Sequence, residues 1–328
     1  DVTTQPTQSS IYRIIDNTSS TDVSGIFAGL PEGTIFATEA GSFKISYVGG
    51  DGNDVELTVI MTTVLSLDGD GNLLVTDIKP TGQDDTLIIQ SDTANSRFII
   101  SDPNNTLGLA GGIAGATFSN NAHTIFVPFS SVAGNILFDT RGGDDSLIVD
   151  MSLGTFSQVL NYNGGIGSNS LTITGGTFAS QNLDVADSDT GSVTLTGKPQ
   201  IAFDSVATVS STTTVSDTTI NFSSASETIM VAAGIGSRTT VDSDQAPAFT
   251  FNNPTQLLTL NAGDTGNDVI NVAGLGTGFS ADLTLNGQAG NDTLNIAGDI
   301  NLGAGTLSIN TETVNFNATV AAPNLTVN

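Results

Sequence analysis

Leu283-Thr-Leu-Asn-Gly-Gln-Ala-Gly-Asn-Asp-Thr-Leu-Asn-Ile296 places an alternating apolar and polar pair on each side of a glycine corner that ends in an acid. Alternation with a period of two marks a half-buried strand, and Gly, Asn and Asp mark the place where a chain turns. The phrase returns from Leu258 to Val272, with Gly266-Asn-Asp268 at its corner. It recurs from Leu160 to Ile173, from Ile136 to Val149 and, more loosely, from Ile45 to Val59. Asp145 and Asn169 hold the same slot one period apart, and so do Asp268 and Asp292. Asp85, Asp145 and Glu227 fit that slot at wider gaps, which suggests degenerate copies in between; Val193-Thr-Leu195, Ile201-Ala-Phe203, Ile220-Asn-Phe222, Leu307-Ser-Ile309 and Val314-Asn-Phe316 are candidates. A repeat of about 20–25 residues with two or three short strands suits one coil of a parallel β-helix, because a single coil cannot bury its apolar face and stacked coils make a continuous core.

The composition agrees with an all-β chain. Apolar residues are 38% and charged residues 12% of 328, too apolar and too weakly charged for disorder. No stretch carries a capped helical period. The 33 acids, 28 of them Asp, face only 7 basic residues, for a formal charge of -26. Such a surface repels nucleic acid and anionic membranes, and no apolar run is long enough to span a bilayer. Cysteine is absent, which removes disulfides, thiolate metal sites and a cysteine nucleophile. The chain opens at Asp1 without Met and stops in mid-rhythm at Pro323-Asn-Leu-Thr-Val-Asn328, which reads as a piece of a longer chain or a processed product.

Residues 1–60 read as a small β-rich unit and 61–328 as the solenoid domain, with Met61 to Thr63 as the join. In the first unit, Gly41-Ser-Phe-Lys-Ile-Ser-Tyr47 and Val55-Glu-Leu-Thr-Val59 flank Gly49-Gly-Asp-Gly-Asn-Asp54, a spacing that equally suits a hairpin. Asp68-Gly-Asp-Gly-Asn72 reads as a hairpin tip rather than a calcium loop, since Leu73 stands where an EF-hand needs Gly. Residues 101–121 read as a loop that leaves the coil, and Ser205 to Thr219 as strand.

The block ending Gly49-Gly-Asp-Gly-Asn-Asp-Val55 resembles the closing segment of large bacterial surface proteins of the adhesin and autotransporter-passenger type. The corner phrase itself resembles the calcium-binding nonapeptide of the RTX (repeats-in-toxin) proteins, Gly-Gly-x-Gly-x-Asp-x-apolar-x. Gly287-Gln-Ala-Gly-Asn-Asp-Thr-Leu-Asn295 matches all but its second position; Gly164-Gly-Ile-Gly-Ser-Asn-Ser-Leu-Thr172 has Asn in place of Asp. In that family the nonapeptides run in tandem, and here they do not. The resemblance implies calcium as cofactor, with Asp51, Asn53, Asp54, Asp144, Asp145, Asn169, Asp264, Asn267, Asp268, Asn291 and Asp292 as candidate ligands.

Two readings of those acids stand side by side. Corners in adjacent coils lie about 4.8 Å apart, where two carboxylates repel by roughly 3–4 kcal/mol at an effective dielectric of about 20. Either a cation or turn amides must relieve that repulsion. In the plainer reading Asp and Asn only shape the corners, since both tolerate left-handed backbone and bond their own turn amides.

Catalytic signals are sparse. His123 is the only histidine and there is no Trp to platform a sugar. Arg141 beside Asp139, Asp144 and Asp145 is the one basic residue near clustered acids. Thr-x-Thr pairs such as Thr172-Ile-Thr174 resemble ice-binding solenoids without recurring in one register.

The expectation is therefore a right-handed parallel β-helix behind a small β unit, with tandem antiparallel β-sandwiches as the alternative fold. Its expected role is an extracellular structural or adhesive module of a larger bacterial surface or matrix protein. Expected partners are copies of itself, neighbouring modules, or a cell-surface or matrix glycan. A carbohydrate-active β-helix enzyme with an acidic groove is the alternative function.

Overall fold

The computed structural model describes residues 10–38, 41–79, 82–119, 121–223 and 226–328. Asp1 and the start of the first unit lie outside the described residues. The chain is all-β: short strands throughout, one 3-10 turn at Phe129–Ser131, and no α-helix among the described residues. Two sheets of 13 strands each carry residues 63–327, and a four-stranded sheet precedes them.

The four-stranded sheet is antiparallel and runs Ile11–Ile15, Asp54–Val59, Gly41–Gly49, Ile35–Thr38. Gly49 pairs with Asp54, so the glycine corner here is a hairpin tip. Phe43 and Val59 pack with Met61 and Val64 in one buried cluster, so the expected join at Met61 to Thr63 is itself core.

Within the large sheets the pattern predicted from the repeated phrase is parallel pairing in strict register. Ser146–Asp150 pairs with Ser170–Thr174, Leu147 opposite Leu171 and Val149 opposite Ile173. Leu257–Asn261 pairs with Asp282–Asn286, and that strand with Thr306–Asn310, so Leu258, Leu283 and Leu307 form one file. A one-residue slip would turn every such side chain outward, which is why the alternation pins the register. The inward files of both sheets belong to one hydrophobic core, from Leu65 and Leu73 to Leu307 and Ile309.

Spacing departs from the even repeat in a definite way. Thr177–Val185 is antiparallel to Gly191–Leu195, which is antiparallel to Ile201–Asp204, and only that last strand lies parallel to Leu160–Asn163. The other sheet repeats the device with Thr228–Ala233, Arg238–Ser243 and Ala246–Asn252. In both places the chain leaps forward and folds back, because connections of a few residues close hairpins and cannot make a parallel crossover. The degenerate copies expected between Asp85 and Asp145 are absent: Thr86–Asp92 pairs directly with Ser146–Asp150, and the intervening chain forms other strands. Residues 101–121, expected to leave the coil, contribute Leu107–Leu109 to one sheet and Thr117–Ser119 to the other. Ser205 to Thr219 is strand as expected, in Thr208–Ser211 and the start of Thr214–Asn221.

Candidate functional site

Each repeated corner ends in two polar residues immediately before a strand of the second sheet, and they behave differently. The second residue is buried: Asp85, Asp145, Asn169, Asp268 and Asp292 are at most 1% exposed. In all of these but Asp85, whose carboxylate is met by the side chains of Gln83, Asn105 and Thr63, the side chain turns toward one neighbour along the stack and accepts that neighbour's backbone N–H. The amide of Asp85 donates to Asp145 Oδ1 at 2.8 Å, and the amide of Asp145 to Asn169 Oδ1 at 2.9 Å. Farther on, the Glu227 amide donates to Asp268 Oδ1 (2.7 Å), Asp268 to Asp292 Oδ1 (2.9 Å), and Asp292 to Glu312 Oε2 (2.9 Å). The first residue of each pair is exposed and reaches the opposite way. The amide of Asp144 donates to Asp84 Oδ1 (2.9 Å), that of Ser168 to Asp144 Oδ1 (2.8 Å), and that of Asn291 to Asn267 Oδ1 (2.9 Å). Two antiparallel rows of side-chain-to-amide bonds thus clip successive corners together.

The glycines explain why the corners approach so closely. A Cβ on Gly167 would run into the carbonyl oxygen of Gly143, and one on Gly143 into that of Gln83; both glycines have φ in the left-handed half, +139° and +130°. The file is not continuous. At Asn169 the side-chain Nδ2 donates to Ser205 O at 3.0 Å, and the acid file resumes at Glu227 beyond the second fold-back.

Electrostatics follow from this geometry. A charge-assisted bond to a backbone amide offsets the repulsion of neighbouring carboxylates by about 1.5–3 kcal/mol. It satisfies one oxygen only. Asp145 Oδ2, Asp268 Oδ2 and Asp292 Oδ2 are buried with no hydrogen-bond partner. Burial, the largest cause, pushes Asp145, Asp268 and Glu227 above the usual carboxylate range, against the amide and hydroxyl bonds that lower them. Asp85 is pushed up to about 8 by burial, with Gln83 opposing and Asp77, Asp102 and Asp145 adding repulsion.

The remaining candidates fall elsewhere. Asp51 is exposed at the hairpin tip of the first sheet; Asp54 accepts the Asn17 amide (2.8 Å) and pairs with Arg13 Nε (3.1 Å). Asn53 donates to Ser19 O (2.5 Å). None of these three joins the corner file. Asp264 and Asn291 are exposed at their corners. Asp68 caps its own hairpin through the Asp70 and Asn72 amides, and His123 Nδ1 lies 2.9 Å from Asp102 O. Arg141 and Asp139 are half-exposed partners at 3.9 Å. Among the described residues no group of three or more acidic, His or Cys side chains is placed to hold a metal ion. Calcium asks for six to eight oxygens, whereas the groups facing each buried carboxylate here include amide donors.

Some contributors escaped the sequence. Glu312 ends the file with no glycine before it; its signal is an acid directly ahead of the alternating Thr313-Val-Asn-Phe316, as in Glu227-Thr-Ile-Met-Val231. Asparagine amides also form ladders on the outer faces: Asn286 donates to Asn261, Asn261 to Asn221 and Asn221 to Asp184, at 2.6–2.7 Å. Asn315, Asn295 and Asn271 repeat the device on the other sheet. On the outer face of Ile136–Asp139, Leu160–Asn163 and Ile201–Asp204 lies a recess of about 310 Å³ lined by Asp139, Asn163 and Asp204.

No protein-family model, no curated protein and no solved structure matches this chain.

Proposed function

We propose that the two large sheets are walls of a right-handed parallel β-helix interrupted by fold-backs, and that the chain serves as an extracellular structural or adhesive module of a larger surface or matrix protein. One observation carries this: every recurrent polar feature, the two corner rows and the asparagine ladders, is spent on joining one level of the stack to the next. The outcome is a stiff, acidic rod segment. At one end of the described residues the outermost strands, Thr313–Phe316 and Asn324–Val327, half-expose Phe316, Leu325 and Val327 in register with the core files. Outermost strands of this kind accept a further level, from a neighbouring module or another copy. Calcium enters this reading as a weak ligand of the exposed row around Asp144, Asn267 and Asp264.

The test is adhesion without turnover. Beads coated with the purified chain are expected to cluster with one another or to bind a matrix glycan, and to leave the glycan intact.

The recess between Asp139 and Asp204 favours a second reading, a carbohydrate-active enzyme. Two strand steps separate these acids, about 9.5 Å, the upper end of the spacing that inverting glycosidases use. Chain cleavage of an acidic or neutral polysaccharide, abolished by Asp139→Asn or Asp204→Asn, would replace the structural reading.

A further inference from the structure

The outer face of one large sheet carries a regular polar surface across Thr214–Asn221, Leu257–Asn261, Asp282–Asn286, Thr306–Asn310 and Asn324–Val327. Parallel register sets Thr219, Thr259, Thr284, Ser308 and Thr326 opposite one another in a single file. Two residues farther along the first four strands, Asn221, Asn261, Asn286 and Asn310 form the next file. Levels repeat about every 4.8 Å, and the two files lie about 7 Å apart. Thr219, Thr259, Thr284 and Ser308 are half-exposed, so their hydroxyls meet whatever lies on the face. Asn286 Nδ2 donates to Asn261 Oδ1 and Asn261 Nδ2 to Asn221 Oδ1, both at 2.7 Å. That ladder fixes the amide planes while leaving each nitrogen a second N–H and each accepting oxygen a second lone pair. Neither file holds a charge, on a chain whose formal charge is -26. The acids of these strands, Asp217 and Asp282, belong to the file on the other side of the hydroxyls, and Asp184 closes one end of the amide ladder.

Fixed donors and acceptors, repeated at one step on an uncharged sheet face, suit an occupant that is itself extended, repetitive, neutral and rich in hydroxyls. We propose that this face, centred on Thr259, Asn261, Thr284 and Asn286, binds an ordered neutral polysaccharide of β-linked chains. Such chains run as flat ribbons in which each sugar advances by about one strand step, so a chain laid along the files meets the same pair of groups at every level. Its hydroxyls both donate and accept, as the second N–H and the second lone pair of each asparagine require. The net charge of the protein turns anionic polysaccharides away. Amides already ordered by their own ladder lose little freedom on binding, and repetition along the face supplies the affinity that one level lacks. This site deepens the adhesive role proposed above and rests on it.

The experiment measures retention of the purified chain on microcrystalline cellulose, on chitin and on immobilised polygalacturonate, for the wild type and for the double variant Thr259→Val, Thr284→Val. Valine keeps the shape and strand preference of threonine and removes the hydroxyl, so melting is expected to stay within about 2 °C. The wild type is expected to be retained on cellulose or chitin, unchanged by added salt, and the variant to bind about tenfold more weakly. Should the double variant not fold, the single variant Thr284→Asp, which brings a charge onto the face, is expected to show the same loss. No retention on either neutral solid, full retention of the folded variant, or stronger retention on polygalacturonate overturns the site. Loss of bead clustering in the variant assigns the face to a second copy and overturns it equally. Wild-type beads that cluster without binding cellulose or chitin remove this site alone; beads that neither cluster nor bind any of the three remove the adhesive role as well.

Discussion

The corners Gly49-Gly-Asp-Gly-Asn-Asp54 and Gly287-Gln-Ala-Gly-Asn-Asp292 are spelled nearly alike and are built into different structures. In the first, the strand after the corner turns back beside the strand before it, and Asp54 is left to Arg13 and the Asn17 amide. In the second, the strand after the corner enters the opposite sheet, and Asp292 meets Asp268 one level away. The glycines and the acid allow a bend in either case. The direction of the next strand decides whether the acid shapes one hairpin or joins two levels.

Glycine at the fourth motif position offers the strongest way to break that comparison. Gly167→Ala drives a methyl group into the Gly143 carbonyl at a left-handed φ, so a loss of about 3 kcal/mol or more is expected. Gly52→Ala meets no atom within 4 Å and carries only the strain of φ +109°, about 1–2 kcal/mol. Denaturant midpoints of the two variants check the difference. Equal losses would mean that the corners do not stack.

Removing the acid comes next. Asp268→Ala orphans the Glu227 amide and is expected to cost about 1–3 kcal/mol in global melting. Asp54→Ala removes an ion pair with a half-exposed Arg13 and one amide bond, and its effect is expected to stay near the first sheet. Limited proteolysis separates the two, with new cleavage confined to residues 10–60 for Asp54→Ala.

Asn169 sharpens the comparison from inside the file. It keeps the accepting oxygen of its acidic counterparts and turns its second group into a donor, to Ser205 O at 3.0 Å. Asp145→Asn is accordingly expected to leave the melting temperature at pH 7 unchanged or raised by about 1–3 °C, and a marked loss would show that the charge itself is required. The smallest effect is that of calcium. Millimolar calcium against chelator is expected to move melting by about 2 °C or less, since it meets exposed carboxylates. A larger shift, lost with Asp268→Asn, would return calcium to the core of the account.

Much of this was legible in the chain. Alternation around Leu258, Leu283 and Leu307 announced which side chains face inward, and the acid slot announced that Asp268 would lie beside Asp292. The fold-backs were not legible. Hairpin and crossover share the same alternation, and Asp187-Ser-Asp-Thr190 looks no different from a corner until strand direction is known. For the same reason the wide interval between Asp85 and Asp145 suggested missing copies where the two acids in fact touch. The site was half legible: acids crowded at one step were foreseen, along with their need for relief. That the relief comes from the next level's amide depends on backbone direction, which residue identity does not carry.

Amide hydrogen exchange in calcium-free, chelator-containing buffer tests the central claim most directly. The backbone N–H groups of Asp85, Asp145, Glu227, Asp268 and Asp292 are expected to exchange as slowly as those of the buried strands around them. Fast exchange at these five positions, or slow exchange only after calcium is added, would contradict the account.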